Sequence, residues 1–118
     1  MPAQPPYKTL DVYHLSRKLV VACYEITHDL PAEEKTNLAQ YIRTAAVTVH
    51  LNIAQGAFLK KKKKKKKFVR TVQNALVVID TAISVLVEVG FVTGERTTEL
   101  TDLSAACYRI LDSLKKDK

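Results

Sequence analysis

The chain has 118 residues, of which 47% are hydrophobic, and it carries 19 Lys plus Arg against 12 Asp plus Glu, a formal charge of +7. This length supports one domain with a sizeable core and excludes two. The sequence has only 3 Gly and 4 Pro, too few turn residues to separate many short strands. This composition favours a few long helices.

Targeting and membrane signals are absent from the sequence pattern. No basic segment followed by an apolar one opens the chain, and the longest apolar stretch, Ala82 to Val92, is interrupted by Ser84 and Glu88. This stretch is too short to span a bilayer, so we expect a cytoplasmic protein without membrane contact. Cys23 and Cys107 lie far apart in the sequence and form no CxxC motif, so we interpret them as reduced core residues.

Residues 1–7 contain three of the prolines and are predicted to form an extended arm. The first predicted helix begins at Thr9 and ends before Pro31, where the second begins, and the second ends at Gly56. Gly56 can end that helix or permit a close backbone approach. Apolar residues recur at spacings of three and four: Val12, Leu15, Leu19, Ala22, Ile26 and Leu30, then Leu38, Ile42, Ala45, Val49 and Ile53.

The third predicted helix runs from Phe68 to Val89 and is apolar on every side. One seam of the helix contains Phe68, Val72, Ala75, Ile79, Ala82, Leu86 and Val89. The opposite side of the helix contains Leu76, Val77, Val78, Ile83, Val85 and Val87. We expect a helix of this kind to be buried all round. Two β-strands are the alternative, although no turn residue interrupts the segment. Val78 and Val85, on one line of the helix, are the predicted oligomer interface.

Gly90 is predicted to close this helix in the left-handed conformation, and Thr93 to cap the fourth helix. The fourth stripe contains Leu100, Leu103, Cys107, Ile110 and Leu114. The predicted fold is all-α, an up-down-up-down four-helix bundle formed by a single domain over residues 8–118. A lysine-rich turn at 57–67 joins its second and third helices.

Eight consecutive lysines dominate the charge of the chain. Without them the balance is 11 basic against 12 acidic residues, and the formal charge falls from +7 to −1. Such a run matches a phosphate backbone and predicts sequence-independent, salt-sensitive binding of RNA or DNA. A solvated loop is the alternative. The predicted nucleic-acid-binding residues are Lys60, Lys61, Lys62, Lys63, Lys64, Lys65, Lys66 and Lys67, together with Arg70 one turn into the third helix.

Signatures of catalysis and metal binding are missing from the sequence. No nucleophile with a base, carboxylate pair or metal cluster stands out, and His14, His28 and His50 are scattered. We therefore expect no enzyme activity, catalytic residue, metal or cofactor. Asn52 and Asp80 are interpreted as buried polar groups that fix the register of the bundle.

Residues 38–56 resemble a known family, through Ala45-Ala46-Val47-Thr48-Val49 and Asn52-Ile53-Ala54-Gln55-Gly56. These segments are similar to the four-helix-bundle proteins encoded in intervening sequences of bacterial large-subunit ribosomal RNA genes. Those proteins are relatives of the accessory variability determinants of diversity-generating retroelements. The likeness extends to residues 10–13, 30–34 and 90–92. It marks Asn52, Gln55 and Gly56 as family-motif residues.

The resemblance implies a four-helix protomer that assembles as a ring, commonly a homopentamer. For the retroelement members it also implies binding of nucleic acid and of a reverse transcriptase. The chain departs from the usual pattern at Gln55, where the ribosomal-gene members have Glu, and at Thr44 and His50, which replace an Arg and a Pro.

The favoured interpretation is a non-enzymatic, oligomeric accessory protein that binds RNA or DNA and partners a retroelement reverse transcriptase. The alternative is a structural or protein-interaction bundle whose lysines bind an acidic partner or an anionic membrane.

Overall fold

The computed structural model describes residues 10–56 and 61–116. No strand occurs within these two ranges, so the all-α prediction is confirmed and the alternative of two strands between Phe68 and Val89 is wrong. The predicted arm at 1–7 and Lys60 lie outside the described residues. The helices are α1 (Asp11–His28), α2 (Ala32–Lys35), α3 (Leu38–Gly56), α4 (Lys62–Glu88) and α5 (Thr98–Lys116), with a 3₁₀ turn at Glu95–Thr97 before α5.

The four long helices form an antiparallel bundle. Helix α1 packs against α3 and α5, and α4 packs against the same two helices from the other side. Ser16 contacts His50 and Thr27 contacts Arg43, so α1 and α3 run in opposite directions. Arg96 ahead of α5 pairs with Asp29 after α1, and Lys62 at the start of α4 lies beside Lys115 near the end of α5. One end of the bundle therefore holds the start of α1, the end of α3, the start of α4 and the end of α5.

Apolar side chains from all four long helices fill the core. The seam of α4 is buried as predicted from Phe68 to Leu86, whereas its last predicted member, Val89, is 57% exposed. On α5 the stripe is rotated slightly from the predicted one: Leu111 is fully buried, whereas Leu103, Ile110 and Leu114 pack at the margin. These contacts supply most of the stabilisation of the fold.

The predicted second helix is broken into two. Helix α2 has only four residues and ends at Lys35, and α3 begins at Leu38. At the break, Thr36 Oγ1 donates to the Glu33 carbonyl at 3.5 Å and Asn37 Nδ2 donates to Glu34 Oε1 at 3.2 Å. The Thr36 hydroxyl competes in this way for a backbone carbonyl, and the Asn37 backbone N–H donates to the Glu34 carbonyl at 3.1 Å, so the helix is interrupted at this turn.

Helix α4 ends in a Schellman motif, as Gly90 predicted. Gly90 has φ of 86°, its N–H donates to the Val87 carbonyl at 3.1 Å, and the Phe91 N–H donates to the Leu86 carbonyl at 3.0 Å. Thr93 caps the 3₁₀ turn that leads into α5 and not α5 itself, because its Oγ1 accepts from the Arg96 N–H at 3.2 Å.

Gly56 confirms the predicted close approach at the junction of α3 and α4. A Cβ at this position would lie 2.8 Å from Cγ and Cε1 of Phe68. Phe68 is buried, so its ring has little space into which it can move. Gly56 therefore allows the end of α3 to contact the first buried side chain of α4.

We predict that Gly56→Ala lowers the free energy of unfolding by about 1–3 kcal/mol, the usual cost of overpacking a core. Urea denaturation followed by circular dichroism measures this change. Gly94→Ala is the matched control, because a Cβ at Gly94 meets nothing within 4 Å and its φ is negative. Equal stability of the parent and the Gly56→Ala variant would contradict the packing described here.

Helix α4 is long and apolar enough, by length and composition, to cross a membrane. The apolar stretch noted in the sequence, Ala82 to Val92, overlaps only the end of this helix. A core helix meets the same criteria, and α4 buries Val72, Ile79 and Leu86 against its neighbours in the bundle. Packing within the protein accounts for the buried side of α4, which is 44% of its apolar window, and leaves valines such as Val78 and Val85 exposed.

Candidate nucleic-acid interface

The lysine run continues into α4 instead of ending in the turn. Lys61 has extended backbone angles, with φ of −69° and ψ of 124°, and the helix begins at Lys62. The predicted turn at 57–67 is therefore wrong in its second half. Lysine is a good helix former, and the buried Phe68 and Val69 anchor the helix just beyond the run, so six lysines extend it by more than one turn.

This start of α4 is electrostatically unfavourable. Its first turn contains no acidic residue, so the positive end of the helix dipole faces positive side chains. Lys62 and Lys66, like Lys63 and Lys67, are also like charges at i,i+4, which destabilise a helix by about 0.2–0.5 kcal/mol per pair. A bound polyanion would relieve both effects.

One row of these cations forms a wall of a cleft between α4 and α5. Lys62, Lys66 and Arg70, spaced four residues apart, line a cleft of about 450 Å³ with Lys115 of α5. Lys115 Nζ also lies 3.7 Å from Asp112 Oδ1, and both side chains are partly exposed. The cleft thus joins part of the predicted site to a lysine near the end of the chain.

Lys115 is not among the residues that the sequence predicted to bind nucleic acid. The antiparallel order of the bundle was the signal that could have identified Lys115, because α5 ends where α4 begins. The remaining lysines at 61, 63, 64 and 67 are exposed, and Lys65 is half-buried.

The family-motif residues lie at the end of α3. Asn52 Nδ2 donates to the Thr48 carbonyl of the same helix at 2.8 Å, so its amide bonds its own helix and does not fix the register between helices. Gln55 is exposed. Of the three residues, Gly56 has the defined structural role, through its contact with Phe68.

The surface of α4 away from the core keeps an exposed apolar face. We define this face by Val78, Val85 and Val89, whose exposed fractions are 41%, 42% and 57%. The expectation that α4 is buried all round is therefore wrong for a single protomer. Val77 is also exposed, whereas Leu76 and Ile83 are buried in the core.

The histidines do not converge. His50 Nδ1 lies 2.8 Å from Oγ of the buried Ser16, and its ring packs against Tyr13. Burial, with a smaller effect from Arg17, lowers the pKa of His50. His14 and His28 are exposed. Within 10–56 and 61–116, no three His, Cys, Asp or Glu residues are placed to hold a metal ion.

Two further predictions concern Cys23, Cys107 and Asp80. Both cysteines are buried free thiols, and burial raises the pKa of Cys23 to about 12 and that of Cys107 to about 11. Asp80 lies at the surface of α4, so its interpretation as a buried register-fixing group is wrong. Partial desolvation raises the pKa of its carboxyl, and the Ser104 hydroxyl opposes this shift.

Comparison with known families gives one match over most of the chain. The profile described as 23S rRNA-intervening sequence protein matches residues 8–113. This range includes all four long helices apart from the last residues of α5. No curated protein matches the chain.

Proposed function

The chain belongs to the family of 23S rRNA-intervening sequence proteins, and from its cationic bundle end we propose that it is an accessory protein that binds RNA or DNA. We propose a role that needs no catalysis or cofactor, carried out in the cytoplasm. The phosphate backbone is the expected ligand, because lysine side chains supply charge without reading base edges.

The observation that carries this proposal is the lysine-rich first turn of α4. Six consecutive lysines are held on a helix whose start has no acidic residue, and Lys62, Lys66, Arg70 and Lys115 line one cleft. A flexible run would lose conformational entropy on binding. Side chains that project from an ordered helix lose less, so the bundle presents its charges partly organised.

Assembly would multiply this charge. We propose that the apolar face of α4 binds a second copy of the chain, and that the protein forms a ring such as a homopentamer. In a cyclic oligomer every copy of the lysine run lies at the same end. A polyanion would then bind to a continuous ring of positive charge, in which the electrostatic fields of the subunits add.

A reverse transcriptase is the proposed protein partner. The resemblance to the accessory proteins of diversity-generating retroelements supports this proposal, in which both proteins bind the same nucleic acid. Copurification of the chain with a retroelement reverse transcriptase, before and after nuclease treatment, tests for a contact that does not depend on RNA.

Fluorescence anisotropy tests the proposed nucleic-acid binding. It measures the affinity of the protein for a labelled RNA and for a labelled duplex DNA over a series of salt concentrations. We expect log affinity to fall linearly with log salt concentration and to depend little on sequence. Heparin should displace both ligands. Capture by anionic vesicles without binding to either nucleic acid would instead favour a membrane surface as the partner.

A further inference from the structure

We propose that the cleft between α4 and α5 is the phosphodiester-binding site of the protein. Its four cations, Lys62, Lys66, Arg70 and Lys115, contact successive phosphates of one strand. The other lysines of the run contribute a surrounding positive field. This inference rests on the proposed function and assigns the contacts to one face of the lysine helix.

The geometry of the row supports contact with more than one phosphate. Side chains four residues apart lie on the same face of a helix, and Lys62 to Arg70 spans about 12 Å at 1.5 Å per residue. Phosphates along one strand repeat about every 3.4 Å of helix axis. Lys115 lies across the cleft on α5, so a strand lying along the row would meet positive charge from two helices.

The chemistry of the four side chains fits phosphate. The guanidinium of Arg70 can donate two parallel hydrogen bonds to one phosphate, which a lysine cannot do. Lys115 pairs with Asp112 at 3.7 Å, and both side chains are partly exposed. An exposed pair of this kind contributes little, so the Lys115 ammonium can turn to a phosphate at small cost.

Among the described residues, no carboxylate lines this cleft, in contrast to the larger one between α1 and α5. That cleft, of about 540 Å³, contains Arg17, Lys18 and Arg96 but also the carboxylates of Glu25 and Glu99. Acidic groups would repel a phosphate backbone there. The described residues that line the cleft beside the lysine helix are all cations, which makes it the better site for a polyanion.

Two variants of the full chain test the assignment by removing the same number of positive charges from different faces. Glutamine is used because it is neutral and favours helix nearly as well as lysine. Both are compared with the parent by anisotropy with a labelled single-stranded RNA over a salt series. The cleft variant carries K62Q, K66Q, R70Q and K115Q, and the control carries K61Q, K63Q, K64Q and K67Q.

For the cleft variant we expect the slope of log affinity against log salt to fall by about 3, since each lost phosphate contact on a single strand accounts for about 0.7. The control should lose less than about 1. At low salt the cleft variant should bind at least about tenfold more weakly than the control. Circular dichroism and mass by light scattering establish that the two variants are equally folded and assembled.

The possible outcomes separate this inference from the proposed function. Equal losses in both variants, or a larger loss in the control, would overturn the cleft assignment while leaving nucleic-acid binding by the lysine run in place. Parent-like affinity and salt slope in both variants would overturn the cleft and the lysine run together.

Discussion

Neutralising all eight lysines from Lys60 to Lys67 is expected to lower nucleic-acid affinity by about 10³ at low salt, because each neutralised phosphate contributes through counterion release. The substitution changes the formal charge of the chain from +7 to −1. It therefore removes the local contacts and the long-range attraction together. Anisotropy at matched salt measures the loss.

The replacement residue in this experiment follows from the structure. A Gly/Ser linker would be suitable for a flexible turn, but six of the lysines belong to α4, and glycine inside a helix costs about 1 kcal/mol per residue. Glutamine keeps the helix and removes the charge. Helicity by circular dichroism should stay at the parent value, and stability should rise slightly because repulsion between the lysines is removed.

Unchanged binding by the all-glutamine variant at matched salt would show that the lysines are a solvated segment. Any nucleic-acid site would then lie elsewhere on the bundle. A variant that instead lost both binding and helicity would be compared with the four-residue cleft variant, which alters fewer positions of the helix.

Charged residues on the apolar face of α4 are expected to dissociate the assembly. Val78 and Val85 are 41% and 42% exposed, so a neighbouring subunit can still cover apolar surface that contributes about 25 cal/mol per Å². The double variant Val78→Glu and Val85→Glu would bury two unpaired charges in the interface, which costs several kcal/mol. We expect its mass to fall to the 13.2 kDa of one chain while helicity is retained.

Val21→Glu is the control for this experiment, since Val21 is 51% exposed on α1 and lies outside the proposed face. Light scattering or sedimentation at micromolar concentration gives the mass of each protein. A parent that is already a 13.2 kDa monomer refutes self-assembly. Dissociation by Val21→Glu, without dissociation by the double variant, would move the interface to α1.

The sequence alone determined the helices and most of their ends. Apolar spacing of three and four residues predicted the buried stripes, because a 3.6-residue period places those positions on one face. Gly90 predicted the left-handed end of α4, because a residue without Cβ takes a positive φ without strain. The position of the lysine run between the second and third predicted helices indicated that one end of the bundle is positively charged.

Packing between helices decided what the local pattern could not. Apolar residues occur on every side of α4, so the sequence could not show that Leu76 is buried and Val78 is exposed. Only the positions of α3 and α5 decide which sides of the helix are covered. The start of α4 at Lys62 also depended on tertiary contacts, since buried Phe68 and Val69 anchor a helix that charge repulsion opposes. Tertiary packing also places Lys115 in the cleft. It is 45 or more positions from Arg70 and the lysines of α4, and such residues meet only when antiparallel helices pack side by side.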